Sequence, residues 1–290
     1  MTTFLQLVFS GIASGAIYAI LGLALVMIYR STSLVNFAQG EMATFSTYVA
    51  WTLISVGLPF WVAAVGTVIL SFLFGSLIET YVVRPVSGRS TLGVVAVFIG
   101  LFMIFNSLAA WIWTPSIKTF PSPFPEDLLP ATSFVSAHEL GLLCVTFVIL
   151  IAVYVFFRFT SLGLAMRAVA QNQSSSSLVG IRVGRMLSLG WGISAAIGSV
   201  AGIMVAPIVF LDPNMMLGVI IYGFAAALLG GINNPFGAVI GGFIVGILET
   251  LLGNYITGSE LKLSIALLII VGVLVVKPSG LFSRRTVARV

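Results

Sequence analysis

Charge is what this chain has least of. Only 7% of its 290 residues are Asp, Glu, Lys or Arg, whereas 59% are hydrophobic and the mean hydropathy is +1.18. Soluble domains carry about 25% charged residues, so a water-soluble globular protein is excluded and a polytopic membrane protein, with the lipid bilayer as its solvent, is expected. Cysteine occurs once, as Cys144 within an apolar run, which excludes a disulfide framework. Histidine also occurs once, as His138, and one histidine with one cysteine cannot furnish a metal site of ordinary ligand number. The sequence has no Gly-Lys pair and hence no Walker loop, no Gly-x-Ser-x-Gly elbow and no His-Glu-x-x-His motif. The expectation is therefore a non-enzyme without metal or other cofactor, and any ATP that drives it is hydrolysed by another chain.

What the chain does have is long uncharged runs, at 4–29, 42–78, 90–117, 140–157, 186–211, 213–248 and 263–276. Two of them, of 37 and 36 residues, are too long for one crossing. A helix rises about 1.5 Å per residue and the hydrocarbon core is about 30 Å thick, so each must fold back on itself. Gly57-Leu58-Pro59 and the stretch from Gly230 to Pro235 supply the breaks. The fold class expected is all-α, a polytopic transmembrane helical bundle of about eight to ten crossings in a single domain over 1–290. Nine crossings are placed near 5–29, 37–56, 60–83, 92–113, 139–157, 186–208, 217–231, 236–256 and 261–276. Continuous apolar runs of this kind are not the alternating segments of a transmembrane barrel.

Orientation follows from the basic residues. Alternate loops collect Arg30, Arg84, Arg89, Arg158, Arg167, Arg182, Arg185, Lys277, Arg284, Arg285 and Arg289 on one side, eleven in all, and only Lys118 and Lys262 on the other. The positive-inside rule then makes the C-terminus cytoplasmic and, with an odd number of crossings, the N-terminus external. The first run is long enough to span and has no basic segment before it, so a retained helix is expected rather than a cleaved signal. The net charge of +5 is explained by the same rule and forms no basic patch with interleaved aromatics, so nucleic acid is not an expected partner.

Thirty glycines recur at small-xxx-small spacing, as in Gly11 and Gly15, Gly198 and Gly202, Gly237 and Gly241, and Gly242 and Gly246. Helices in lipid associate by close packing, so these faces are expected to be where helices meet. The loop at 114–138 carries Pro115, Pro121, Pro123, Pro125 and Pro130 with Glu126 and Asp127, which implies an extended or turn-rich connection. It admits two readings, a platform for an external partner or a linker.

Three polar features interrupt the apolar background. The stretch from Ser31 to Glu41 reads as a broken or re-entrant second helix, with Asn36, Gln39, Gly40 and Glu41 lining a translocation path. The alternative is a plain turn in which Ser33 or Asn36 caps the following helix. Glu249, inside the eighth span, is a second pathway candidate, unless it lies close enough to the outer interface to hydrate. Glu79 beside Arg84 reads as a structural ion pair or as interfacial snorkelling. The segment 158–185 has four arginines and no acid; Leu162, Leu164, Ala165, Met166, Ala168 and Val169 favour a short helix, a serine run follows, and Leu178-Val179-Gly180-Ile181 forms an apolar patch.

Several of these stretches resemble a known family. Ser10-Gly11-Ile12-Ala13-Ser14-Gly15-Ala16-Ile17-Tyr18-Ala19-Ile20, Ile28-Tyr29-Arg30 and Val35-Asn36-Phe37-Ala38-Gln39-Gly40-Glu41 are similar to branched-chain amino acid ABC permeases. So are Gly163-Leu164-Ala165-Met166-Arg167-Ala168, Gly230-Gly231 ahead of Pro235-Phe236-Gly237-Ala238, and Lys277-Pro278-Ser279-Gly280-Leu281-Phe282. The resemblance covers essentially the whole chain. It implies an inner-membrane permease subunit that works beside a second homologous permease, usually as a heterodimer, with two cytoplasmic ABC ATPases and a periplasmic substrate-binding protein. It further implies that 158–185 couples to the ATPase through Gly163, Arg167, Ala168, Asn172, Ser174, Gly180 and Ile181. The coupling pattern of ABC importers is Glu-Ala-Ala, three residues, Gly; here Gly180 matches, while Ser174-Ser175-Ser176 replace Glu-Ala-Ala. Serine competes for helix hydrogen bonds, so a differently built contact is expected. Related members are assigned urea, amides or other small polar solutes, and a self-contained secondary transporter or channel built on Glu41 and Glu249 is the competing class.

Overall fold

The computed structural model describes residues 2–32, 35–88, 90–124, 135–258, 261–277 and 279–282. Ser33, Arg89, Pro125, Glu126, Asp127, Pro130, Arg284, Arg285 and Arg289 lie outside the described residues. Among the described residues eleven α-helices follow in order: α1 (Thr2–Thr32), α2 (Gln39–Ser55), α3 (Phe60–Ile78), α4 (Thr91–Trp113), α5 (Ala137–Phe159), α6 (Ser161–Gln171), α7 (Gln173–Leu178), α8 (Val183–Val209), α9 (Met215–Gly230), α10 (Pro235–Leu252) and α11 (Lys262–Val276). Among the described residues the only extended pairing is a bridge between Lys118 and Leu211. The protein is thus the expected all-α polytopic helical bundle.

Among the described residues, six helices are long and apolar enough to cross a bilayer: Phe4–Arg30, Phe60–Val83, Thr91–Trp113, Ala137–Phe159, Val183–Val209 and Pro235–Ile256. Each of the other three expected spans also falls on a helix, but α2, α9 and α11 have only 17, 16 and 15 residues. At about 1.5 Å per residue they rise about 23–26 Å, short of the roughly 30 Å hydrocarbon thickness. The two overlong runs break where the sequence indicated. Gly57 takes φ +102° before Pro59 starts α3, and Gly231 takes φ +106° before Pro235 occupies the first turn of α10.

The chain forms two compact units. The first comprises 1–26, 124–143 and 218–290. Here α1 and α10 meet glycine against backbone: a Cβ on Gly15 would stand 2.8 Å from the Cα of Phe243, and one on Gly11 would stand 2.9 Å from the Cα of Ile247. Gly241 and Gly242 lie equally close to Ala226 of α9 and Ala19 of α1. The turn after α11 is tied back by Leu281 N–H to the Leu229 carbonyl at 2.8 Å.

The second unit comprises 27–123 and 144–217. Its centre is α8, which packs on α2 and α3 through small residues. A Cβ on Gly202 would stand 2.8 Å from the Ala43 carbonyl, and Gly75 and Gly192 make similarly close approaches between α3 and α8. Trp191, Phe98, Ile78, Met42 and Ala195 are buried in the adjoining core. By contrast α3, α4 and α5 turn large apolar side chains such as Leu73, Met103 and Ile151 outward, as helices facing lipid or other membrane chains do. All four glycine pairs singled out from spacing therefore lie at close helix approaches.

An i→i+5 turn extends α3 over Glu79–Val83, with the Arg84 N–H on the Glu79 carbonyl at 2.8 Å. Such a turn brings residue five along back above its start. That is how Arg84 reaches the buried Glu79 as an ion pair, and its Nη2 also donates to the Gly184 carbonyl at 2.7 Å, joining the end of α3 to the start of α8.

Candidate functional site

The polar stretch does not break the second helix: α2 is continuous from Gln39 to Ser55, and the interruption lies ahead of it. Helix α1 runs to Thr32, residues 35–38 are non-helical, and α2 opens at Gln39. Asn36, Gln39 and Glu41 are all buried. Asn36 Oδ1 accepts the Ala38 N–H at 3.0 Å, which shapes the turn. Asn36 does not cap α2, because the capping position is Ala38 and no side chain caps there. Gln39 is used between helices: Nε2 donates to the Ser194 carbonyl of α8 at 3.1 Å, and its Oε1 accepts from the Ser194 hydroxyl at 3.4 Å. Gly198 leaves room for that amide, since a Cβ there would collide with it. The Gly40 carbonyl accepts from the Thr44 hydroxyl at 3.2 Å.

Glu41 is different. Its Oε2 accepts from Asn106 Nδ2 of α4 at 3.3 Å, while Oε1 is buried without any hydrogen-bond partner. The same Asn106 Nδ2 donates to the Pro213 carbonyl at 3.1 Å and to Asn214 Oδ1 at 2.9 Å. Asp212, whose carboxylate accepts the Asn214 N–H at 2.7 Å, acts electrostatically on Glu41 as well. Sequence reasoning missed Asn106, Asp212 and Asn214. The one local signal for Asn106 is that it is a lone amide in the uncharged run 90–117.

Glu249 lies in the other unit and has partners of its own. Tyr18 donates to Oε2 at 3.0 Å, Lys262 Nζ stands 3.6 Å from Oε1, and Tyr18 stacks on Tyr222 with centroids 4.8 Å apart. The carboxylate is buried and paired, so hydration at the outer interface is not how it is accommodated.

The segment 158–185 is built as two capped helices. The Thr160 hydroxyl accepts the Gly163 N–H at 3.0 Å to start α6, and Asn172 Oδ1 accepts the Ser175 N–H at 2.9 Å to start α7. Gly163 allows α6 to fold tightly against the end of α5, where a Cβ would stand 2.7 Å from the Cα of Phe157. Met166 and Val169 seat α6 on Met27 and Met186, while Arg167 and Ala168 are half-buried and Arg167 Nε has no partner. The serine run is itself helical: Asn172 supplies the cap that offsets serine's weak propensity, and Ser174 stands exposed in the first turn of α7.

Helix α7 ends in a two-bond closure. Gly180, at φ +85°, sends its N–H to the Ser177 carbonyl at 3.1 Å, and Ile181 sends its N–H to the Ser176 carbonyl at 3.1 Å. This turn leaves Leu178 and Val179 projecting, 87% and 76% exposed. Beside it lies an open groove of about 850 Å³, lined by Gly180, Ile181, Arg182, Arg185, Arg84 and Thr80 among others.

Apolar helices long enough to span a bilayer, buried polar groups at the start of α2 and a capped loop with an apolar tip fit a multi-pass transport protein of the permease class. The chain belongs to the family of permease components of branched-chain amino acid transport systems, whose model matches residues 7–274. It is accordingly a transport subunit and not an enzyme. The high-affinity branched-chain amino acid transport system permease protein LivH of Escherichia coli (strain K12) is 30% identical, over 99% of this chain and 98% of that one. The corresponding permease protein BraD of Pseudomonas aeruginosa is 27% identical over the same shares. In fold, the chain is similar to PsaBC from Streptococcus pneumoniae, solved in complex with Fab, with a TM-score of 0.52 at 13% identity over 95% of this chain and 92% of that one.

Proposed function

We propose that this chain is the permease subunit of an ATP-driven importer that carries branched-chain amino acids across the inner membrane. Its partners are a second homologous permease subunit, two cytoplasmic ABC ATPases and a periplasmic substrate-binding protein, and the relatives named above support the substrate. In this reading the C-terminus is cytoplasmic and the N-terminus periplasmic, which the distribution of eleven basic residues against two supports. Contacts within the second unit support that sorting of loops. Lys118 pairs with Leu211 at one end, whereas Arg84 meets Gly184 at the other.

The observation that carries this reading is the tip of α7. Two large apolar side chains left exposed at a capped helix and a left-handed glycine are costly on the cytoplasmic side of this reading unless a partner covers them. In this reading α6, α7 and Ile181 form the element that seats on the ATPase; Gly163, Arg167, Ala168 and Asn172 build it, Ser174 faces the partner and Gly180 sets its end. The break before α2 forms the translocation path, with Asn36 and Gln39 shaping it and Gly40 and Glu41 lining it. Glu249 ties α1, α10 and α11 together.

The test is uptake of leucine, isoleucine and valine into proteoliposomes holding the full transporter, with ATP supplied on the ATPase side. Uptake requires ATP, and Leu178→Asp with Val179→Asp abolishes ATPase association while the chain still inserts. Gradient-driven uptake by this chain alone overturns the reading.

A further inference from the structure

Resting on the reading that this chain translocates amino acids, we propose that Glu41 takes the ammonium group of the substrate, in a site completed by Asn106, Pro213 and Asn214.

Donor and acceptor numbers point to a cation. One amide group, Asn106 Nδ2, faces three acceptors at 2.9–3.3 Å: Asn214 Oδ1, the Pro213 carbonyl and Glu41 Oε2. Its two hydrogens cannot satisfy all three well. Glu41 Oε1 has no donor at all, although the residue is only 1% exposed. A buried carboxylate oxygen left in this condition is costly, and native structures tolerate such groups chiefly where something else binds.

Among the described residues no cation pairs with this carboxylate. Among the described residues the ion pairs are Arg84 with Glu79 and Lys262 with Glu249, and neither Glu41 nor Asp212 joins one. Lys118 is the basic residue best placed by backbone, since it pairs with Leu211 next to Asp212. Its ammonium instead turns to Ser116 at 3.1 Å and to the Trp51 ring at 5.3 Å. A metal ion is the poorer fit, because no cluster of three or more His, Cys, Asp or Glu ligands exists among the described residues. A primary ammonium brings one positive charge and three donors to a site short of both.

The surroundings suit the rest of a branched-chain amino acid. Phe45, one turn along α2 from Glu41, meets Phe105 and Trp113 edge to face at 5.4 and 5.3 Å, and Phe105 directly precedes Asn106. An aromatic wall therefore adjoins the acceptor cluster.

The experiment compares the wild-type transporter with Glu41→Gln and Glu41→Asp, reconstituted with all partners. The readouts are the rate of ATP-driven leucine uptake and the thermal midpoint of the purified complex. Glu41→Gln lowers uptake about tenfold to a hundredfold with the midpoint unchanged or raised, and Glu41→Asp recovers part of the loss. Unchanged uptake by Glu41→Gln overturns the proposal, as does equal loss in both variants with a lowered midpoint, which marks a structural role. A wild-type complex that carries no branched-chain amino acid instead overturns the functional reading itself. Uptake that depends on sodium or potassium and is lost with the same variant assigns the carboxylate to a metal cation and also overturns the proposal.

Discussion

Tyr18 gives its phenolic hydrogen to Glu249 at 3.0 Å while its ring lies flat against Tyr222, 4.8 Å away. With Lys262 at 3.6 Å from the second oxygen, the Glu249 carboxylate is paired on both sides. Glu41, equally buried, has one oxygen on Asn106 and the other on nothing. The same residue type thus plays two parts: a closed tie within one unit and an open acceptor in the other.

Closing the tie is worth measurable stability. Tyr18→Phe leaves Glu249 Oε2 without its donor and is expected to cost about 1–3 kcal/mol, read as a lowered unfolding midpoint in detergent. Lys262→Met costs less, about 1 kcal/mol, because the lysine side chain is 33% exposed and its charge is screened. A Tyr18→Phe protein as stable as wild type would show that the bond contributes nothing.

Glycine at helix contacts is required by space. Gly15→Val would place a side chain against the backbone of α10 at Phe243, forcing α1 and α10 apart at a cost of about 1–3 kcal/mol or more. Gly100→Ala in α4 meets nothing within 4 Å and is expected to be neutral or to stabilise by up to about 1 kcal/mol. Paired unfolding measurements check the contrast, and similar effects at both positions would refute it.

At Gly180 the requirement is backbone conformation. A Cβ there meets open space, so bulk is tolerated, but φ +85° is left-handed and costs an ordinary side chain about 1–2 kcal/mol. Gly180→Val is expected to fray the end of α7 and lower ATP-coupled uptake several-fold, with Gly180→Asn intermediate because asparagine tolerates that region. Equal uptake in Gly180→Val and wild type would separate the turn from coupling.

Removing the arginine of the Glu79 pair strands a carboxylate that is 3% exposed. Breaking a fully buried pair costs about 3–5 kcal/mol, but Arg84 is 39% exposed, so about 1–3 kcal/mol is expected for Arg84→Ala. Adding Glu79→Gln to Arg84→Ala should restore most of it. A double variant no more stable than the single one contradicts this account.

The apolar helices were readable in the sequence because they depend on local quantities. Run length against bilayer thickness located the six helices long enough to span among the described residues, Gly57 with Pro59 and the stretch from Gly230 to Pro235 marked the breaks, and small-xxx-small spacing picked out Gly11, Gly15, Gly198, Gly202, Gly237, Gly241, Gly242 and Gly246, which the structure places at close approaches. The Arg84 ion pair was anticipated, but not the i→i+5 turn that forms it. The serine run was read as a weak helix former, and it is helical because Asn172 caps it and Gly180 closes it.

Which buried carboxylate keeps an oxygen without a hydrogen-bond partner was not readable. Asn36, Gln39, Glu41 and Glu249 all appear in the sequence as polar groups in apolar surroundings. Only tertiary packing assigns Gln39 to Ser194, 155 residues away, and Glu249 to Tyr18, 231 residues away, while leaving Glu41 half-satisfied by Asn106. By itself the sequence determined that this chain spans a membrane, roughly where, and to what family it is similar. Tertiary structure decided which buried groups are spent on each other, because a hydrogen bond depends on proximity in space and burial makes each missing partner costly.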